Sequence, residues 1–420
     1  MIYFDQLFYK MNRLDRLVLF FMVVYLISMF YSRFLLSIAM ICLSILAIAK
    51  FVRKESTFKA SEFLPFGAMI LVFIVTVVSG LNSEDLGSWM RHLRLKVPFL
   101  VLPFTFYLLR ETIGKYFYHV LIFFILLTVG SSFPVIYDMF LENELVTNIK
   151  KGKSLNTPVD HIKYSLFVAF AVLTSIILLV EETIPMIRKS RILLVVCAVF
   201  LFVLLHLLAV RSGIIVFYIS AFVLLLKYAF YTRKLIFLVP LVSLLLAPFI
   251  AFQTIPSFKN KVHYTTYDLE MFRSGKGEYY SDSERWYSMS VGLKLFEDSP
   301  LMGTGIGDLK KECKEMYKIL YNMDNEKYPH NQYLFILAGS GLIGLILFLV
   351  GMVYPAFHFR KRLGSLFLTI MIIVLVSFLV ENTIERSYGI AFVLFFMLLI
   401  MARKSSTYFS EAMASSPQSR

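Results

Sequence analysis

Apolar runs of about 18 to 22 residues recur along the whole chain, and that is the length needed to cross a hydrocarbon core of roughly 30 Å. No other feature restricts the fold as strongly. Soluble domains rarely reach this composition: of 420 residues, 58% are hydrophobic and only 17% charged. The chain is therefore expected to be an all-α polytopic membrane protein. Twelve spans are expected, at 17–32, 34–51, 63–81, 93–109, 117–140, 164–180, 192–210, 213–230, 235–253, 331–354, 366–380 and 388–402.

Charge placement sets the expected orientation. With the N-terminus inside, the inner segments carry basic groups such as Lys10, Arg13, Arg16, Arg53, Lys54, Lys59, Arg188, Lys189, Arg191, Arg360, Lys361 and Arg362. The short outer segments carry fewer: Arg33, Arg91, Arg94, Lys96, Lys150, Lys151, Lys153, Lys163, Arg211 and Arg386. Lys10, Arg13 and Arg16 precede the first run without a small-residue cleavage site, so that run reads as a span and not as a removable signal. Both termini are expected inside. Cys42 and Cys197 lie in apolar runs and Cys313 in a polar loop, so no disulfide framework is expected.

Four regions follow. Residues 1–253 hold nine spans, 254–329 form one large outer loop, 330–403 hold three more spans, and 404–420 make a polar tail expected to be disordered inside the cell. Connections longer than about 12–15 residues are usually functional or unstructured. This one contains Trp286 and amphipathic stretches such as "ERWYSMSVGLKLFED", which suggest short helices on the membrane surface.

Three places could carry chemistry. Arg211 stands at a turn of almost no length, "VRSG", where a charge at the membrane edge needs a partner, a headgroup phosphate or a function. Arg285 precedes an amphipathic stretch that runs into Pro300 and glycines 303, 305 and 307; by itself it reads equally as a solvated loop residue. These glycines have no following Gly-Lys-Ser/Thr and so do not form a nucleotide-binding P-loop. His330 opens an apolar run, and 11 and 14 residues on lie Gly341 and Gly344, close to three and four helical turns. That spacing predicts a small-residue face for helix packing below the histidine. A helix N-terminus favours a neutral imidazole, able to take a proton, although a capping or interfacial histidine would look the same.

The stretch "HNQYLFILAGSGLIG" has His-Asn, nine residues, then Gly-x-x-Gly. It resembles the signature of the O-antigen ligase and O-antigen polymerase superfamily. "RSG" is similar to that family's outer turn, although Val210 stands where a serine is common. "SERWYSMSVGLKLFEDSPLMGTGIGD" resembles its Arg…Trp…Pro-x-x-Gly-x-Gly region, and "ENTIERSYGIAFVLFF" a segment near the C-terminus of some members.

The resemblance implies a bacterial inner-membrane enzyme with its active site facing the periplasm. It would move a glycan from undecaprenyl diphosphate to a sugar hydroxyl, on lipid A–core in a ligase or on a growing glycan in a polymerase. Ligation is the preferred expectation. Arg211 and Arg285 would hold the diphosphate, Arg91 and Arg94 would extend that anionic surface or contact headgroups, and His330 would act on the acceptor hydroxyl. No cofactor, metal or nucleic acid is expected; Glu84 and Asp85 are the nearest candidate metal ligands and make only a lone pair. A twelve-span transporter is the rival class, opposed by the lack of repeat symmetry and the single large loop.

Overall fold

The computed structural model describes residues 12–141, 156–181, 188–208, 210–232, 256–274, 281–325, 327–360 and 364–405, with isolated positions between 239 and 253. No strand occurs among the described residues. The helices are α1 (Arg13–Tyr31), α2 (Arg33–Val52), α3 (Ala60–Ala68), α4 (Leu71–Ser79), α5 (Leu86–Leu108), α6 (Arg110–Leu141), α7 (His161–Val180), α8 (Arg188–Leu208), α9 (Arg211–Thr232), α10 (Pro256–Arg273), α11 (Ser281–Asp298), α12 (Leu309–Tyr321), α13 (Gln332–His358), α14 (Ser365–Val380) and α15 (Ser387–Lys404). Short 3₁₀ turns lie at Gly80–Asn82 and Thr383–Glu385.

Polar residues between the apolar runs start several helices. The Ser32 hydroxyl accepts from Leu35 N, so the chain turns from α1 to α2 around one residue. Asp85 accepts from Ser88 N at 2.8 Å, Asp160 from Ile162 N at 3.0 Å, and Asn331 from Tyr333 N and Leu334 N at 2.9 and 3.1 Å. Each satisfies amides that the first helical turn leaves unpaired.

Seven helices are long and apolar enough to cross a membrane: α1, α2, α6, α7, α8, α9 and α13. α3 and α4 meet at a bend of 53° and make an eighth if taken as one span. The expected twelve are not all recovered. α5 is interrupted by Arg91, Arg94 and Lys96, and α14 and α15 are apolar but short. The expected span at 235–253 falls largely outside the described residues, as do Lys150, Lys151, Lys153 and the tail from 406 onward.

α7 and α15 are buried along nearly their whole length. A helix that is apolar on every side fits lipid and protein interior equally; here packing puts these two inside. Phe392 stacks on Phe167 with centroids 4.9 Å apart, Phe396 meets Phe124 at 4.5 Å, and Phe395 meets Tyr25 at 4.7 Å. The Tyr25 hydroxyl, buried in this layer, donates to Ala391 O at 3.1 Å.

The segment 254–329, expected to hold short helices, contains α10, α11 and α12 among its described residues. α11 packs on α10, on α12 and on α13. α13 itself is not continuous. At Gly341 the backbone takes φ +65°, ψ −167°, a region open essentially to glycine alone. Residues 300–305 dock against that break: Thr304 N and Gly305 N donate to Ala338 O and Gly339 O at 2.8 and 3.1 Å, and Leu342 N donates to Pro300 O at 2.8 Å. The loop thus takes up backbone groups on both sides of the break. A Cβ on Gly341 would lie 2.2 Å from Leu301 O. The continuous small-residue face anticipated from Gly341 and Gly344 is therefore divided. Gly341 serves the loop, whereas Gly344 lies near Val75 of α4.

Candidate active site at one end of the helix bundle

The beginnings of α5, α7, α9, α13 and α15 and the end of α14 meet at one end of the bundle, with α10 and α11 above them. Two close approaches allow this. A Cβ on Gly213 would lie 2.3 Å from Ser165 Oγ, so the "RSG" glycine lets α9 start directly against the first turns of α7. A Cβ on Gly292 would lie 2.5 Å from Pro329, so α11 seats the residue just before His330.

α11 is the element that brings the expected residues together. Asp282, Arg285 and Ser288 follow at intervals of three and share one side of the helix. Asp282 accepts both terminal nitrogens of Arg211, Nη2 at 2.7 Å, while Arg211 Nη1 also donates to Thr265 Oγ1 at 2.8 Å. Ser288 Oγ accepts the His330 N–H at 3.1 Å. Buried Asp268, on α10, caps α11 by accepting from Asp282 N at 2.9 Å and Ser283 N at 3.1 Å.

His330 lies one residue before the Asn331 cap, not within the first turn of α13 as expected. Its Nδ1 is 3.7 Å from Glu381 Oε2, and the Glu381 side chain is only 8% exposed. Burial opposes ionisation of Glu381, but His330, Lys163 and Arg285 outweigh it and hold the carboxyl below its usual range. Arg285 is thus placed to act on the same carboxylate as His330.

A second acid, Glu385, secures this arrangement from behind. It accepts from Lys96 Nζ at 2.6 Å and from Gln332 Nε2 at 2.8 Å, and His92 Nδ1 lies 3.5 Å away. Gln332 Oε1 accepts from Ile384 N at 3.2 Å, and Lys96 Nζ donates to Ile384 O at 2.5 Å. Burial would favour the neutral acid, yet Lys96 and His92 hold the Glu385 carboxyl down at about 2. The segment 381–386 is thereby pinned to both α5 and α13.

Arg91 and Arg94 stay exposed on α5, while the same helix turns His92 and Lys96 inward. Glu84 and Asp85 have structural tasks: Asp308 accepts from both of their amides at 2.7 and 2.8 Å, and Asp85 caps α5. Glu381, Lys163, Gln332, Asp282 and Asp268 were not singled out by the sequence. A signal existed for Glu381 and Glu385, because two acids between consecutive apolar runs need partners.

No curated protein matches the chain. Residues 196–349 match the family model described as O-antigen ligase. That interval contains Arg211, Arg285, His330 and the loop-docked break at Gly341, so the similarity to the O-antigen ligase family falls on the stretch that carries the candidate site.

Proposed function

We propose that the protein transfers a glycan from undecaprenyl diphosphate to an acceptor sugar hydroxyl at the periplasmic face of a bacterial inner membrane, most specifically in O-antigen ligation to lipid A–core. The observation that carries this reading is the convergence of His330, Glu381 and Arg285 at one end of the bundle, with Arg211 tied to the same helix α11 through Asp282. The family is one of glycosyltransferase-like enzymes that process O-antigen. A transporter gains no support from charges gathered at one bundle end.

The chemistry runs as follows. The acceptor oxygen attacks the anomeric carbon, and the bond from that carbon to the diphosphate oxygen breaks, its electron pair leaving with the diphosphate. Arg285, with its planar fork of donors, neutralises the charge that grows there. The hydroxyl proton passes to His330. With Nδ1 turned to Glu381, Nε2 is the nitrogen free for the hydroxyl, and the Glu381 carboxylate stabilises the imidazolium as it forms. Arg211 is held by Asp282 through the geometry that a phosphate would use, and donor binding exchanges one anion for the other.

The test is turnover by purified protein on a defined lipid-linked donor and acceptor. His330→Ala should lower turnover by about 10² to 10⁴, the usual range for a general base, while the protein accumulates normally. Normal turnover would remove the histidine from the mechanism. A deletion strain separates the acceptors on a gel: loss of all attached polysaccharide marks ligation, and retention of a single repeat unit marks polymerisation.

A further inference from the structure

Lys163 occupies a place that ought to be unfavourable to it. It is the third residue of α7, and its side chain is only 2% exposed. Burial of an ammonium costs several kcal/mol unless it is paired and hydrogen-bonded, by about the amount expected for any buried ion. The first turn of a helix adds a second penalty, because the positive end of the helix dipole repels a cation. Its nearest carboxylate oxygen is Asp160 Oδ1 at 3.9 Å, beyond hydrogen-bond range. Asp160 is otherwise engaged in capping α7. Among the described residues nothing hydrogen-bonds to the ammonium.

Its surroundings do not relieve the charge. Lys163 acts on Glu381, as do His330 and Arg285, and Arg386 opposes Lys163 from nearby. Lys163 and Arg285 thus share one buried carboxylate, Glu381, and a further cation, Arg386, stands close to Lys163. Ser165, two residues after Lys163, touches Gly213, two residues after Arg211, so the arginine turn starts beside the same stretch of α7. Cationic side chains here outnumber carboxylates, and a bound anion would offset the excess.

We propose that Lys163 is a binding residue for the diphosphate of the polyprenyl donor, its ammonium supplying a third cationic contact beside Arg211 and Arg285. This rests on the diphosphate reading above and adds a residue from outside the matched interval 196–349. An ammonium can point its three donors at different oxygens, where a guanidinium is confined to one plane. Lys163 therefore suits the phosphate that turns away from the arginine forks.

The experiment uses the full chain in phosphatidylcholine nanodiscs, with undecaprenyl diphosphate and undecaprenyl phosphate as probes and native mass spectrometry as the readout. Wild type should prefer the diphosphate. Lys163→Gln should weaken diphosphate binding about tenfold or more, as expected for loss of a charge-assisted contact, and should affect the monophosphate less. Lys163→Arg should retain binding within about threefold because the charge remains. If Lys163 merely offsets Glu381, the double variant Lys163→Gln with Glu381→Gln regains full diphosphate binding, and the proposal falls. Unchanged binding by Lys163→Gln also overturns it while leaving the proposed function intact. A wild type that binds no diphosphate overturns both. Should Lys163→Gln fail to accumulate, a cryo-EM map of wild type with undecaprenyl diphosphate decides: a phosphate oxygen within hydrogen-bond distance of Lys163 Nζ is expected, and a diphosphate seated elsewhere refutes the contact.

Discussion

The fork of Arg211 closes on Asp282 through both terminal nitrogens, and this contact changes what a substitution there should do. If the carboxylate competes with the donor, Asp282→Asn keeps the shape, removes the charge and frees the guanidinium. Donor affinity should then rise severalfold, by roughly the strength of one charge-assisted hydrogen bond set against solvent. Titration of Asp282→Asn with undecaprenyl diphosphate checks it. Equal or weaker binding, together with a lower melting temperature, would mean that Arg211 only anchors α11. His330 carries a related lesson. Its Nδ1 faces Glu381 Oε2 at 3.7 Å, and that partner came from a segment 51 positions along the chain.

Two elements depend on groups that a helix-by-helix reading passes over. The break in α13 requires Gly341, because its φ and ψ exclude a side chain and Leu301 O fills the space where a Cβ would stand. Gly341→Ala should destabilise the protein by about 1–3 kcal/mol from backbone strain alone. Gly130→Ala in α6, with nothing within 4 Å of the added Cβ, should be neutral or slightly stabilising. Thermal unfolding of the two in one detergent compares them, and equal melting temperatures would show that the loop and the break are not coupled. The turn Thr383–Glu385 depends on charge. The Glu385 carboxyl titrates at about 2 in the fold, from an ordinary value of 4.5. A depressed acid stabilises above its ordinary value, and the contribution is lost as pH falls toward the folded one. Stability should therefore decline between pH 4.5 and about 2. Removing the group with Glu385→Gln should flatten that slope, at the expense of leaving Lys96 unpaired; an unchanged slope would exclude Glu385 as its source.

For the molecule as a whole, the decisive prediction is orientation. The candidate site, α10, α11 and α12 belong to one end of the bundle, and charge bias assigns that end to the outside. Ser274 and Thr57 are both exposed and belong to opposite ends. In intact cells, with the three native cysteines replaced, Ser274→Cys should react with a membrane-impermeant thiol reagent and Thr57→Cys should not. The reverse pattern would turn the protein over and place the site where no periplasmic acceptor could reach it.

Apolar run length determined that this chain builds membrane helices, because spanning length depends on local composition alone. The spacing from His330 to Gly341 and Gly344, with the order of Arg211 and Arg285 before it, was likewise legible as a resemblance, since motif residues keep their order along the chain. Tertiary structure decided the rest. Whether α7 and α15 face lipid or protein is invisible in sequences that are apolar all round. The break at Gly341 follows from a loop forty residues earlier that supplies new partners to its backbone. Lys163, Glu381 and Asp282 each read alone as an ordinary interfacial charge. Their partners lie on other helices, and a charge acquires its meaning from what stands within a few ångströms of it, which only the folded chain brings about.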